Sequence, residues 1–494
     1  MSNGDSGKND VTRRDFMKTT AAAGTGVLFA AGAFPNIVSG ANRKMRYANV
    51  GTGSRSRMYQ RAIFDTYKDH CEMVGLSDPN EGRLQIVLER AKNAKGKDVP
   101  GFHSDDFDDM IEKTKPDVVI VTTVDGFHHQ YIIRAMELGC DVITEKPMTI
   151  DAEKCQQIID TQKKTGKNCK VTFNYRYSPP RTQVKELLMS GVIGEVYSVD
   201  FHWLLNTFHG ADYFRRWHSQ KKFSGGLMVH KSTHHFDLVN WWLSAVPVSV
   251  MAKGKREFYT PEMANRLGLT SHHERCHTCP EKDKCGFELS LENSRGLKEL
   301  YLDNEKYDGY FRDKCVFRPD IDIEDTMTVA VEYDDNVQMS YSLNAFNAWE
   351  GYMINFNGTK GRLEHQIVES IYVSGTDTVQ GGIQDGGTHT TVIPLRGPAM
   401  VQEVWTGEGG HGGGDRVMLD DIFLPEKKED KYRRAADQRS GAYSILTGVA
   451  ANLSFQKKTN IVIDDLVKEI GYPEYPAMPS RSTSLPMPEK RRRG

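Results

Sequence analysis

One lysine and two histidines have the residue types and the spacing to accept the hydroxyl proton of an alcohol. Lys146 follows an apolar segment, and His230 and His234 lie four residues apart. If their stretch is helical, the two imidazoles share one face. Oxidising a secondary alcohol requires a base for the hydroxyl proton and a cation that steadies the developing alkoxide. Histidine titrates near neutral pH and burial lowers the pKa of lysine, so both residue types suit this chemistry.

Such residues need a scaffold, and the chain from residue 45 has the pattern of one. A short apolar strand is followed directly by Gly51-Thr52-Gly53-Ser54-Arg55-Ser56. In a dinucleotide fingerprint, the first glycine makes the tight turn and the second lets the backbone approach the pyrophosphate. Ser56 stands where the third glycine is usual. We therefore predict cofactor contacts from five residues of this loop: Gly51, Gly53, Ser54, Arg55 and Ser56.

A second predicted strand, over residues 71–78, ends in an acidic residue. Asp78 lies about 25 positions after Gly53, near where a Rossmann domain places the carboxylate that binds the ribose. A carboxylate there repels a 2′-phosphate, so NAD is preferred to NADP. The nearby Arg83 weakens that preference.

Helical and strand patterns continue to alternate after Asp78. Residues 81–95 and 128–139 are predicted helices, while 116–123 and 141–147 are apolar strands of the buried, parallel kind. Ligands of such sheets bind at the carboxyl ends of the strands. This rule points to Thr122, Thr123 and Glu145.

Several ordered motifs resemble those of the Gfo/Idh/MocA superfamily, which includes glucose–fructose oxidoreductase and inositol dehydrogenase. The resemblance extends from about residue 45 to about residue 458, and it rests on the loop at Gly51, Thr122-Thr123 with His128, Glu145-Lys146-Pro147, Phe173-Asn174-Tyr175-Arg176-Tyr177-Ser178-Pro179, Arg216-Trp217, and Ser224-Gly225-Gly226 through His234 and Asp237. It implies an α/β protein with a doubly wound Rossmann domain over 45–172. It also implies a C-terminal α/β domain over 173–460, with a large open, mainly antiparallel sheet that often mediates homo-oligomerisation.

The resemblance also implies roles for individual residues. Lys146 would hydrogen-bond the reacting hydroxyl, and His234 matches the catalytic histidine of the family. Further cofactor contacts are expected from Thr122, Thr123, His128, Glu145, Lys146, Asn174 and Trp217. Substrate contacts are expected from Arg176, Tyr177, His234 and His235, because sugars bind to planar donors and aromatic faces. Packing between the domains is the alternative role for Tyr177 and Trp217.

His230 departs from the family pattern, which commonly has an acid at this position. It could take over the hydrogen-bonding role of the acid, or it could be a packed core histidine. With His234 it could also bind a divalent metal, since two imidazoles at i and i+4 suit Zn²⁺. That metal would need a further ligand such as His202, His209 or Glu195.

Two enzymatic functions remain open, and both act on a sugar or a glycoside. The preferred one is an NAD-dependent oxidoreductase. The alternative is a redox-neutral glycosidase that uses bound NAD for transient oxidation, elimination and re-reduction. A sugar-sensing protein without activity is disfavoured because Lys146 and His234 are both present.

Four cysteines cluster in a polar stretch, residues 257–318, that interrupts the family pattern. Cys276, Cys279, Cys285 and Cys315 fit a closed structural Zn²⁺ site or, less well, an iron–sulfur cluster. Two disulfides, as expected in an oxidising compartment, and free thiols are the alternatives. We expect this cluster to lie outside the chemistry.

The N-terminal residues predict export. Arg13-Arg14, an aromatic residue and a lysine precede an apolar, glycine-containing segment, which resembles a twin-arginine signal peptide over residues 1–41. That route carries folded proteins to the periplasm, so the cofactor would be inserted before export. The apolar segment is too short and too rich in glycine for a stable membrane span.

The formal net charge of −2 provides no basic field for a nucleic-acid partner, and it favours a small-molecule ligand. Residues 461–494 are predicted to be a C-terminal tail, and the basic run at its end, residues 489–493, is interpreted as solvated. The glycine-rich loop over 407–414 lacks the ending of a phosphate-binding loop. We expect it to be mobile and near the cleft, with His411 as a contact.

Overall fold

The computed structural model describes residues 43–95, 98–376, 378–480, 482, 484, 485 and 487. The predicted signal over 1–41 and the terminal basic run lie outside the described residues. The described residues form two sheets with helices packed against them. None of the described helices is long and apolar enough to cross a bilayer.

The first sheet has seven strands and belongs to the N-terminal half. Its strands are β1 (Met45–Val50), β2 (Cys71–Ser77), β3 (Gly101–Phe102), β4 (Val118–Val121), β5 (Asp141–Thr144), β6 (Cys169–Val171) and β15 (Ala436–Asp437). Their order is β15-β6-β5-β4-β1-β2-β3, and all neighbours are parallel except β15 and β6. β4 is wholly buried, as expected for a strand covered on both faces. The strand order reverses beside β1, where doubly wound sheets bind their ligands.

The second sheet has nine strands and is antiparallel except for one pair. Its strands are β7 (Val196–Asn206), β8 (Pro247–Lys255), β9 (Thr326–Tyr333), β10 (Gln338–Asn347), β11 (Glu350–Gly358), β12 (Gly361–Glu369), β13 (Ile383–Pro394), β14 (Met400–Gln402) and β16 (Ile461–Val462). The order is β14-β13-β12-β11-β7-β10-β9-β8-β16, with β10 and β7 parallel. Burial alternates along β9, so one face of the sheet is covered and the other is open. This architecture confirms the predicted fold class.

The helices cover both sheets and form the walls between them. Their bounds are Ser56–Arg61, Glu81–Lys95, Phe107–Thr114, His128–Glu137, Ala152–Thr165, Pro179–Met189, Thr207–Arg215, Lys221–Ser224, Leu227–His230, Thr233–Leu243, Pro261–Arg266, Arg295–Leu300, Glu305–Asp308, Gly414–Phe423 and Gln438–Lys457. A π-helical turn, Ala62–Thr66, continues the first of them.

The C-terminal part of the chain joins the two sheets. β15 pairs with β6 of the first sheet, and the helix Gln438–Lys457 then contacts β6 and β8, one strand of each sheet. β16 pairs with β8, and Val467 and Ile470 further on are buried. The prediction of a tail from residue 461 is therefore corrected, because residues 461–470 are part of the fold.

Candidate active site

A cleft of about 440 Å³ lies where the carboxyl ends of β1, β2, β4 and β5 meet helices of the second half. Fourteen of the predicted residues line it: Gly51, Gly53, Ser54, Arg55, Asp78, Thr122, Thr123, His128, Glu145, Lys146, Asn174, Trp217, His230 and His234. The structure thus brings the loop at Gly51, the lysine and both histidines to one cavity.

The loop after β1 fits the pyrophosphate of a dinucleotide. Gly51 has a φ of +86°, and a Cβ there would lie 2.7 Å from the backbone of Thr122, so only glycine fits. At Gly53 a Cβ would meet no atom within 4 Å, which leaves an open approach to the backbone. Ser56 does not line the cleft, because its buried hydroxyl donates to the Gly53 carbonyl at 2.7 Å. The predicted cofactor contact at Ser56 is corrected accordingly.

Asp78 fixes this loop as well as lining the cleft. Its Oδ2 accepts from the backbone nitrogen of Thr52 at 2.6 Å and from the Thr52 hydroxyl at 3.0 Å, and its Oδ1 accepts from the Asn80 nitrogen at 2.8 Å. The carboxylate at the end of β2 is therefore held in place by hydrogen bonds to backbone and side-chain donors. Sequence reasoning placed Asp78 at the ribose but did not foresee its bonds to the loop.

Arg55 is balanced by acids rather than left free for a phosphate. Its Nε donates to Oε1 of Glu145 at 2.7 Å, and its Nη2 lies 3.6 Å from Oδ1 of Asp415. The hydroxyl of Tyr59 donates to the same Glu145 oxygen at 2.7 Å. Glu145 is thus held beneath the cleft by two donors, and it presents the next residue, Lys146, to the cavity.

Lys146, His230 and Asp125 form a continuous polar chain, which we call the relay. The Nζ of Lys146 donates to the His230 carbonyl at 3.2 Å and lies 3.5 Å from Nε2 of that ring. Nδ1 of His230 lies 2.5 Å from Oδ2 of Asp125. Lys146 and Asp125 follow the ends of β5 and β4, whereas His230 ends the helix Leu227–His230. The relay therefore joins the two halves of the chain.

Burial sets the charges of the relay. It lowers the pKa of Lys146 to about 8, although the negative charges of Asp125 and Glu145 oppose this. Burial, together with the positive charge of Lys146, also lowers the pKa of His230, so its ring is neutral at pH 7. Burial raises the pKa of Asp125 well above its ordinary value, although the charges of Lys146 and Arg216 favour the ionised form. A lysine that loses its proton near pH 8 can act as a base.

His234 lies beside the relay with an unused hydrogen-bonding atom. It is 5% exposed, and its ring stacks on Tyr175 at 4.4 Å between centroids. Its Nδ1 has no hydrogen-bond partner within the described part of the chain. Burial and the nearby Lys146 lower its pKa, so the ring is neutral. The ring lines the cleft, but Nδ1 is buried, so this nitrogen does not reach a ligand there.

His128 joins the exits of β4 and β5. Its ring nitrogens lie 2.8 Å from the Pro147 carbonyl and 3.1 Å from the Thr123 carbonyl. It therefore positions the loop that carries Lys146, and its predicted place at the cofactor cleft agrees with the lining.

Three residues predicted to contact the substrate lie outside the cleft. Arg176 is fully buried and donates from Nε and Nη2 to Asp237 at 2.8 and 2.6 Å. The Tyr177 hydroxyl donates to Asp421 at 2.9 Å, and His235 contacts a buried tyrosine hydroxyl at 2.7 Å. All three side chains are buried, and their predicted contact with the substrate is corrected.

The predicted metal site at His230 and His234 is not formed. Lys146 lies 3.5 Å from Nε2 of His230, where its ammonium would repel a cation, and Nδ1 is taken by Asp125. Among the described residues, no group of three or more His, Cys, Asp or Glu side chains is arranged to hold a metal ion.

The residues suggested to complete that metal site also have other partners. His209 lines the cleft with its Nδ1 2.9 Å from Oε1 of Glu350. His202 contacts Ser342 on the second sheet at 2.9 Å, and Glu195 lies at the start of β7, within hydrogen-bonding distance of Tyr197.

The four clustered cysteines line one pocket of about 20 Å³, away from the cleft. Cys276, Cys279, Cys285 and Cys315 surround it as free thiols, and Cys315 Sγ lies 3.6 Å from Nδ1 of His272. Burial raises the pKa of Cys315 to about 11, so its thiol is protonated at pH 7. The structure supports neither a zinc ion nor an iron–sulfur cluster here.

Sequence reasoning missed several residues of the cleft wall: Asp125, Tyr213, Arg216 as a charged contact, His218, Lys231, Tyr301, Asp308, Tyr310, Tyr372, Ser374 and Gln380. Asp125 could have been found, because it lies four residues after the end of β4. Tyr301, Asp308 and Tyr310 come from the cysteine-containing stretch, which no motif placed at the cleft. His411 does line the cleft, as expected.

The cleft and the two sheets define an oxidoreductase with a Rossmann domain for NAD. Residues 45–173 match the family model described as "Oxidoreductase family, NAD-binding Rossmann fold", and residues 185–463 match "Oxidoreductase family, C-terminal alpha/beta domain". The chain therefore belongs to the Gfo/Idh/MocA oxidoreductase family.

Relatives within this family include YteT of Bacillus subtilis, described as an oxidoreductase, which is 36% identical over 428 residues, covering 84% of this chain and 97% of that protein. The D-glucoside 3-dehydrogenase of Escherichia coli is 31% identical over 31% of this chain and 41% of its own. The glycosyl hydrolase family 109 protein 1 of Akkermansia muciniphila is 29% identical over 31% of this chain and 32% of its own. The WlbA dehydrogenase of Chromobacterium violaceum, solved with NADH and UDP-GlcNAcA, has the same fold, with a TM-score of 0.57, 19% identity and coverage of 85% and 96%.

Proposed function

We propose that this protein is an NAD-dependent oxidoreductase that oxidises a secondary hydroxyl of a sugar or a glycoside. The observation that carries the proposal is the relay, in which a buried lysine with a pKa of about 8 lies in the dinucleotide cleft and contacts His230. The similarity to a D-glucoside dehydrogenase supports a sugar as the substrate.

The residues of the cleft divide the work of binding and proton transfer. The loop at Gly51 would hold the pyrophosphate and Asp78 the ribose, and the nicotinamide supplies the hydride acceptor when it is bound. Neutral Lys146 accepts the proton of the substrate hydroxyl at Nζ. His230, held by Asp125, keeps Nζ in place, and the ring of His234 lines the cleft beside it.

NAD is favoured over NADP by the charges around Asp78. The guanidinium of Arg83 lies 3.5 Å from Asp78 and forms a short ion pair with Asp308. Arg83, the cation that weakened the predicted preference for NAD over NADP, is therefore paired with two carboxylates. A 2′-phosphate would meet a negative carboxylate and an arginine that is already paired.

A segment of the cysteine-containing stretch, residues 295–312, holds the nucleotide end of the cleft; we call it the clamp. Asn80 donates from Nδ2 to the Asn304 carbonyl at 3.0 Å, and a Cβ at Gly82 would overlap the Asn304 side chain. Arg83 pairs with Asp308 of the clamp, and Tyr301 lines the cleft. We propose that the clamp slows the release of NAD, which suits an enzyme that retains its cofactor.

The redox-neutral glycosidase remains the second candidate. It is favoured by the similarity of part of the chain to a glycosyl hydrolase family 109 protein. The same lysine and histidines would serve transient oxidation, so the site alone fits both reactions. The two candidates differ in net products.

The test is to load the purified protein with NAD and add glycosides while following nucleotide absorbance and sugar products. Accumulation of NADH without bond cleavage supports the dehydrogenase, and cleavage without accumulation supports the glycosidase. If no dinucleotide can be loaded, both are refuted.

We further propose export and self-association. From residues 1–41 we infer passage through the twin-arginine machinery to the periplasm, which replacing Arg13 and Arg14 by lysine would block in a fractionation assay. Edge strand β14 and its neighbours expose apolar side chains, including Val401 at 77% and Leu395 at 64%. Such a patch favours a homo-oligomer, which sedimentation would detect.

A further inference from the structure

Three arginines surround one carboxylate at the wall of the cleft. Asp212 lies in the helix Thr207–Arg215, and its oxygens are 2.7 Å from Nη2 of Arg312, 3.1 Å from Nε of Arg216 and 3.9 Å from Nη1 of Arg215. We call the three the arginine cluster. Asp212 and Arg312 are fully buried, and the side chains of Arg215 and Arg216 are only 4% and 12% exposed.

The cluster carries more positive charge than its single acid neutralises. Arginine stays protonated in proteins, and burial of the Asp212 carboxyl is outweighed by the arginines, which lower its pKa to about 2. Three cations therefore share one anion in a region with little water. Like charges at such distances repel strongly unless a further anion joins them.

Several donors of the cluster lack an acceptor. Nε and Nη1 of Arg312 and Nε of Arg215 are buried without a hydrogen-bond partner among the residues that the structure describes. Among the described residues, Arg216 contacts Asp212 through Nε, which donates to the Asp212 carbonyl at 3.3 Å and lies 3.1 Å from Oδ2, and its two terminal nitrogens have no recorded hydrogen bond there. A buried donor without an acceptor costs about 1–3 kcal/mol. The protein alone thus leaves the cluster incomplete, in charge and in hydrogen bonds.

One arginine of the cluster, Arg216, lines the cleft and lies near the relay. Arg216 lines the cavity together with Ser374 and Tyr310, and its charge acts on Asp125 of the relay. Trp217 follows it, with its ring 5.9 Å from that of His230. The phosphates have their own cradle at the loop after β1, so an anion at Arg216 lies on the side of the substrate.

We propose that Arg216, with the positive charge of the arginine cluster behind it, binds the carboxylate of an acidic sugar, so that the substrate is a uronic acid or its glycoside. A guanidinium pairs with a carboxylate through two parallel hydrogen bonds, and Arg216 has both terminal nitrogens available for this. A neutral sugar would leave the excess charge uncompensated. The inference rests on the proposed oxidation at the relay and names the class of substrate that the same cleft takes.

The test compares acidic and neutral sugars on the full-length protein loaded with NAD. Glucuronate and galacturonate, with their methyl glycosides, are compared with glucose, galactose and the matching neutral glycosides, by NADH formation and by calorimetric binding. Because charged hydrogen bonds contribute about 1.5–3 kcal/mol, we expect an acid to exceed its neutral partner by about 10- to 100-fold in kcat/KM. Arg216→Gln should raise KM for the acid with little change in kcat, and Arg216→Lys should restore part of the loss. Arg134→Gln, which removes an exposed arginine, is the matched control.

The outcomes separate this inference from the proposed function. Binding of a uronate that Arg216→Gln abolishes, without NADH formation, supports the subsite and contradicts the oxidation. Oxidation of neutral and acidic sugars alike, unchanged in Arg216→Gln, overturns the subsite and leaves the oxidation standing. Weaker binding of NAD in Arg216→Gln, with unchanged KM for the acid, overturns the inference by assigning the anion to the cofactor. If no uronate binds at all, the inference is wrong.

Discussion

Replacing Asp125 by asparagine should shift the pH dependence of the oxidation. Asn keeps the size of Asp125 and can still accept from Nδ1 of His230, but it removes a charge that raises the pKa of Lys146. The two contacts of the relay and the width of an imidazole place this charge at most about 8 Å from Nζ. With an effective dielectric constant of about 20, the interaction is about 2 kcal/mol, or about 1.5 in pKa.

The direction of the shift in the pH profile follows from the protonation state of Lys146 that is active. Oxidation needs Lys146 without its proton, so kcat/KM should rise with pH through about 8 in the wild type. In Asp125→Asn the inflection should move down by about 1 to 1.5, since the ammonium form loses its neighbouring anion. The assay is initial-rate NADH formation over a pH series, with Asp109→Asn, which removes an exposed carboxylate, as the control. An unchanged inflection would mean that Asp125 is already protonated in the free protein, which refutes this account of the relay.

Three further changes follow from the structure. Lys146→Met should lower kcat by about 10²- to 10⁴-fold, the usual contribution of a general base, while NAD binding measured by fluorescence persists. Gly82→Ala should push Asn304 and the clamp away and speed NADH dissociation about 10-fold in a stopped-flow chase, equal to about 1.4 kcal/mol. Arg176→Met should cost about 3–5 kcal/mol of unfolding free energy in urea, because it leaves Asp237 buried without its partner.

Two of these changes have a control variant in the same chain. Gly386→Ala adds a methyl group where no atom lies within 4 Å, so it should leave NADH dissociation unchanged. Arg134→Met breaks an exposed ion pair and should cost less than about 1 kcal/mol. Full activity in Lys146→Met would remove the lysine from the reaction. Equal dissociation rates in the two glycine variants would show that the clamp does not retain the cofactor.

Local patterns predicted the Rossmann half well. The turn at Gly51 requires a positive φ and a close approach to Thr122, and only glycine allows both. Three adjacent residues, Gly51-Thr52-Gly53, were enough to predict this turn. The place of Lys146 follows from the end of an apolar strand, because strand ends of a parallel sheet meet at one edge. Both inferences require only neighbours in the sequence and one rule of sheet topology.

Contacts between distant segments could not be predicted in this way. Arg176 and Tyr177 have the residue types of a sugar pocket, yet each is paired with an acid about 60 or more positions away and is buried. The arginine cluster needs Arg312 to meet Asp212 across about 100 positions. Residue type and spacing carry no signal for such pairs, because the fold, and not the local chain, decides which side chains meet.

The relay shows how a departure from the family pattern can preserve the chemistry. His230 stands where an acid is common, and a neutral imidazole alone would not supply a negative charge beside Lys146. Asp125, from the loop after β4, contacts His230 and places a carboxylate on the side of the ring opposite Lys146. His230 belongs to the C-terminal domain, whereas Lys146 and Asp125 belong to the Rossmann domain. The relay is therefore complete only where the two domains meet. The basicity of Lys146 therefore depends on the contact between the domains, and a change that separates them should alter the pH profile before it alters the fold.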